Sequence, residues 1–120
     1  MERLKFEGLV HEALVKIPEM FRVYLDNVDL VVEDYPDGQD LVGHIQEEEF
    51  LLLGLYEGVP ITNRSDYGMI LPDKITLFQK SIESICSSEE EILREIRNTL
   101  VHEVAHHFGM TDQQLDDLET

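Results

Sequence analysis

One stretch of this sequence leaves little freedom in how it folds. Ser88-Glu89-Glu90-Glu91 is a capping box: the serine oxygen accepts from the amide near Glu91 and the Glu91 carboxylate returns to the serine amide, so a helix begins there. Ile92, Leu93, Ile96, Leu100 and Val104 then fall on one helical face, with Glu90 and Arg94 at i and i+4. Gly109 supplies a residue that adopts the left-handed conformation ending a helix. The expected helix is about 20 residues and roughly 30 Å long. At 120 residues the chain, 1–120, fits one domain with a real core but not two lobes around a deep cleft, so a shallow site is expected.

The remaining segments are shorter. Leu4, Phe6, Leu9, Val10, Ala13, Leu14 and Ile17 recur at helical spacing, and Pro18 stops the pattern, which predicts an N-terminal amphipathic helix. Val28, Leu30 and Val32 alternate with Asp29, Val31 and Glu33 ahead of the turn-forming run Asp34-Tyr35-Pro36-Asp37-Gly38, as in a short strand. Residues 36–49 are polar and acidic with no period and read as a solvent loop. Leu51 to Tyr56 reads as a strand ending in the turn Glu57-Gly58-Val59-Pro60, with a buried helical turn as the alternative that periodicity leaves open. Met69-Ile70-Leu71 and Lys74-Ile75-Thr76-Leu77-Phe78 read as two strands punctuated by Pro72, in a hairpin or as a bent edge strand. Phe108 is expected in the core with the apolar stripe.

Composition narrows the function classes. A net charge of −17 repels phosphate backbones, so nucleic acid is not an expected partner. The longest apolar stretch, Phe50 to Tyr56, is far below the roughly 20 residues of a spanning helix, so no membrane partner is expected. The N-terminal residues show no secretory pattern, and a cytoplasmic setting is the expectation. Cys86, the only cysteine, admits no internal disulfide and is expected to behave as a small buried hydrophobe.

The last turns of the long helix carry chemistry: His102-Glu103-Val104-Ala105-His106-His107-Phe108-Gly109-Met110-Thr111-Asp112. Residues four apart lie about 40° apart around a helix, so His102 and His106 direct imidazoles at one point, as a tetrahedral metal requires. Glu103, about 100° round, does not compete as a ligand but reaches a water on that metal, the place of a general base. The turn at Gly109 brings Asp112, three residues later, back toward the metal as a third ligand. An acid in the first turn of a following helix is also stabilised by the macrodipole alone, and His11 or His44 are the alternative third ligands. His107 points about 100° away and is left outside the site. Tyr56, Tyr67 and Arg64 are candidates for a donor to the carbonyl oxygen in the transition state.

These residues, His102, Glu103, His106, Gly109 and Asp112, form the pattern H-E-x-x-H-x-x-G-x-x-D, and with it the chain resembles the minimal-zincin family of small bacterial zinc metallopeptidases. Gly54-Leu55-Tyr56-Glu57-Gly58-Val59-Pro60 and Leu71-Pro72-Asp73-Lys74-Ile75 look like that family too, with less specific motifs. The resemblance implies an α+β, minimal zincin-like fold in which a small sheet packs beside the motif helix, with one catalytic Zn2+ per chain. The chain shows neither the second lobe nor the propeptide of larger zincins, which points to a peptidase of narrow specificity rather than general digestion.

The leading expectation is therefore hydrolysis of peptide bonds by a zinc-activated water with Glu103 as general base, on a peptide or protein substrate. A second class is a zinc-stabilised peptide-binding or regulatory module without turnover, pairing a partner protein along a strand edge. A third, a metal-dependent ribonuclease with an H-x-x-x-H-x-x-G-x-x-H frame, is opposed by Asp112 in place of the last histidine and by the charge.

Overall fold

The structure is a computed structural model and describes residues 1–26, 28–37, 52–58, 72–110 and 113–114. Its longest helix, α4 (Glu89–His107), has the 19 residues the capping signals bracket. At its start the Ser88 hydroxyl accepts from the Glu91 amide at 3.2 Å. The Glu91 carboxylate accepts from the Ser87 amide, one residue earlier than a strict capping box. At its end Gly109 has φ +81°, and the Gly109 and Met110 amides bond back to His106 and Ala105. These are the two reversed bonds of a Schellman turn, in which an L side chain would be strained.

Against α4 packs α1 (Arg3–Lys16), which ends just before Pro18 as its spacing predicts. Phe6, Val10, Ala13 and Ile17 are buried, recurring at four, three and four residues, while Leu4 stands exposed. They join Ile92, Ile96, Leu100, Val101 and Val104 of α4 in one core cluster. Each such fully buried aliphatic or aromatic side chain contributes about 1.5–3 kcal/mol through area removed from water. Pro18 also starts a second helix, α2 (Glu19–Leu25), which buries Phe21 and Leu25. Proline is well suited to a helix's first residues, where its missing amide costs nothing.

The sheet has three strands in the order β1-β3-β2. β1 (Val28–Glu33) and β3 (Asp73–Phe78) run parallel, Val28 opposite Asp73 through Glu33 opposite Phe78. β2 (Gly54–Glu57) runs antiparallel to β3, Gly54 opposite Leu77 and Glu57 opposite Lys74. β3 is central rather than an edge strand, as Pro72 allows by lying just before it and outside the ladder, and it is buried on both faces from Ile75 to Phe78. A short helix, α3 (Gln79–Ser84), follows β3 directly. The buried Gln79 side chain accepts from Arg3 Nε at 2.7 Å, and Arg3 also donates to the Val32 carbonyl, which ties the start of α1 to the ends of β1 and β3.

Helices and a small mixed sheet beside the motif helix make the α+β architecture that the sequence implies. Most of the expected acidic loop, and the first of the two strands around Pro72, lie outside the described residues. Phe108 departs from expectation: it is 49% exposed, past the last turn of α4, with its ring 4.5 Å from that of Tyr24. Cys86 is half-buried against the core. Burial pushes its thiol pKa up, and the charges of Glu95 and Glu91 push it further. Among the described residues no helix is long and apolar enough to cross a membrane.

Candidate metal centre and cleft

The last two turns of α4 face β2, and the approach is close because Gly54 has no side chain. A Cβ built there would lie 2.6 Å from Thr99 Cγ2 and 3.3 Å from the Thr76 carbonyl oxygen. Glycine at 54 is thus what lets strand and helix touch. One step along, the Tyr56 amide donates to Glu103 Oε1 at 2.8 Å. That amide points away from β3, along the free side of the strand, so Glu103 is held against the sheet edge by the backbone.

His102 is half-buried and its Nδ1 lies 2.8 Å from the Asn98 carbonyl oxygen. A carbonyl only accepts, so Nδ1 carries the proton and the lone pair of Nε2 is left as a metal donor. His106, one turn on, is exposed, and the two ring centroids are 6.0 Å apart. Two imidazoles on one tetrahedral ion have centroids about 5 Å apart, so this pair stands about 1 Å wider than a shared ion requires. The donor set fits zinc in type: imidazoles with a carboxylate nearby.

Among the described residues, no three His, Cys, Asp or Glu side chains converge on one point. His102 and His106 stand on successive turns of α4 and Glu103 meets the Tyr56 amide; the expected third ligand, Asp112, lies outside the described residues, as do His44, Tyr67 and Arg64. His11 is exposed on α1. His107 is turned away from the pair as its spacing predicts, and stacks on the Tyr56 ring at 3.9 Å. The Tyr56 hydroxyl donates to Asp73 Oδ2 at 2.8 Å, so the part of Tyr56 that meets Glu103 is its amide.

Beside these residues a half-open cleft of about 260 Å³ runs between strand and helix. Leu52, Leu53 and Gly54 form its strand side. Glu95, Asn98, Thr99, His102 and Glu103 form its helix side. The contributions of Asn98, Thr99 and Gly54 were not visible in the pattern of side-chain chemistry, because one acts through its carbonyl and another through the absence of a side chain. No residue type at position 98 could have signalled it, since every residue four before a histidine in a helix carries that carbonyl.

Comparison with known proteins gives the fold a likeness and the chain a family. A solved structure of a conserved hypothetical protein from Thermo thermophilus superposes with a TM-score of 0.56 at 24% identity, over 89% of this chain and 94% of that one. At that identity the likeness is one of fold. Among curated proteins, none matches the sequence. Residues 25–120, which include β1 to β3 and the whole of α4, match the family described as zincin-like metallopeptidase. The chain belongs to the zincin-like metallopeptidase family.

Proposed function

We propose that this protein is a zinc-dependent metallopeptidase of narrow specificity, acting in the cytoplasm on a peptide or protein substrate. The observation that carries the reading is the placement of Glu103: one residue past His102, with Oε1 held 2.8 Å from a sheet-edge amide. Metal storage has no use for a carboxylate fixed beside two histidines, whereas hydrolysis needs a base there.

His102, His106 and Asp112 would hold one zinc per chain, with His102 oriented through the Asn98 carbonyl. Zinc in such a site supplies Lewis acidity and lowers the pKa of water toward about 7. Glu103 accepts the proton of the attacking water and returns it to the leaving amine. The Tyr56 amide keeps that carboxylate from swinging away between the two transfers. The shallow, half-open cleft admits an extended chain better than a folded surface, which suits a restricted substrate.

Elemental analysis and cleavage of a peptide library test this together. Wild type is expected to carry one zinc per chain and to cleave. His106→Ala is expected to lose the metal and Asp112→Ala to hold less of it. Glu103→Gln is expected to keep the zinc and lose at least about a hundredfold in rate, the share of a general base. Cleavage by Glu103→Gln at the wild-type rate would overturn the assignment.

A further inference from the structure

The cleft between β2 and α4 has a direction. Gly54 lies against Thr99 and the Tyr56 amide meets Glu103, so strand and helix run alongside each other in the same sense. Two strand residues advance about 6.7 Å and four helical residues about 6 Å, so the match holds over successive steps. One step back pairs Leu52 with Glu95, and both line the cleft. His102 and Glu103 therefore stand at one end and Glu95 at the other, seven to eight residues away, or about 10–12 Å along the helix.

We infer that this cleft is a specificity pocket for a basic side chain, arginine or lysine, flanking the bond to be cleaved, with the Glu95 carboxylate as the group that recognises it. The inference rests on the peptidase reading of the site. The dimensions match: an arginine side chain reaches about 7 Å from its Cα and a charge-assisted hydrogen bond adds about 2.8 Å. The walls match as well. Leu52 and Leu53, both half-buried, offer apolar surface to the aliphatic stem, and the stem passes on the Asn98 side of the tight Gly54–Thr99 contact.

Glu95 is half-buried and, among the described residues, has no hydrogen-bond or ion-pair partner. The nearest basic residues along the helix, Arg94 and Arg97, line a separate hollow between α1 and α4, and Arg97 Nη1 donates at 3.4 Å to Asn98 Oδ1 rather than to Glu95. Among the described residues an incoming cation thus finds no competitor for this half-buried carboxylate, and away from bulk water such a contact is worth more than in the open. The net charge of −17 adds a long-range attraction for the same class of substrate.

Binding to a Glu103→Gln protein separates recognition from turnover. Fluorescence anisotropy would compare short labelled alanine–serine peptides carrying one arginine with the same peptides carrying neutral citrulline. The arginine peptide is expected to bind about tenfold more tightly, as for one charge-assisted hydrogen bond. Adding Glu95→Gln should erase the difference, and Glu95→Lys should turn the preference toward an aspartate peptide. Glu12→Gln, which removes the same charge from α1, should leave the ratio unchanged. Equal binding of the two peptides, binding of neither, or a ratio indifferent to Glu95 would overturn the inference. Wild-type cleavage without preference for basic residues would overturn it too while leaving the peptidase standing. A Glu95-dependent preference in binding with no cleavage by wild type would do the reverse.

Discussion

The two sides of α4 share a spacing and differ in everything else. On one, Ile92, Ile96, Leu100 and Val104 recur every four residues and are buried in the main cluster with Phe6, Val10 and Ala13 of α1. On the other, Glu95, Asn98, Thr99, His102 and Glu103 recur at three- and four-residue steps and line the cleft under β2. The first side is held by area removed from water, which is indifferent to chemistry beyond size and apolarity. The second is held by single atoms in single places: a carbonyl for His102, an amide for Glu103, a missing Cβ for Thr99. One helix thus anchors the fold and presents the site.

The sharpest way to break this comparison is to cut each side in turn. Leu100 is fully buried, and Leu100→Ala is expected to cost about 2–5 kcal/mol through lost transfer energy and the cavity left behind. Asn98→Ala is expected to stay within about 0.5 kcal/mol of wild type and to keep the zinc, because the group that orients His102 is a backbone carbonyl the substitution preserves. Urea denaturation with metal analysis reads both. A cost for Asn98→Ala equal to that for Leu100→Ala would show that the cleft side also builds the fold.

A middle-sized effect sits where the two sides meet the sheet. Gly54→Ala places a methyl group 2.6 Å from Thr99 Cγ2 and 3.3 Å from a backbone oxygen of the central strand. Threonine is stiff at χ1 and the strand is paired, so neither neighbour gives way cheaply. A loss of about 1–3 kcal/mol is expected, as for other overpacked contacts. Thr99→Ser deletes the crowded methyl group and should recover most of that loss in the double variant. Independent, additive costs in the double-mutant cycle would mean that the close approach is not what Gly54 provides.

The same contrast explains what was legible in the sequence. The buried stripe of α4, its capping residues and the strand Val28–Glu33 could be read because burial and hydrogen-bond satisfaction impose a period or a fixed offset. The motif residues could be read because metal ligation demands particular side chains at particular steps. α2 and α3 escaped notice because seven and six residues are too few to display a helical period. The cleft escaped because polar residues on a helix usually face water, and only the packing of β2 distinguishes Glu95 from the chain's other glutamates. Phe108 does not continue the apolar stripe because it is the residue that ends the helix, where the backbone leaves helical geometry just before the turn at Gly109.

That turn gives the smallest of the expected effects and the one that links the two sides. At φ +81°, alanine in place of Gly109 pays for a left-handed backbone, while the space around its Cβ is open. Gly109→Ala is therefore expected to cost about 1 kcal/mol, from backbone strain with no steric part. Ser88→Ala, at the other end of the same helix, removes one capping bond and is expected to cost about the same. The two then part company at the metal. Ser88 lies four turns of helix from His102, so its loss lowers stability and leaves zinc content alone. Gly109 fixes the direction in which the chain leaves α4 ahead of Asp112, so its loss should lower zinc content as well. Equal zinc in the two variants, at equal cost in stability, would remove Gly109 from the site and leave it a helix cap.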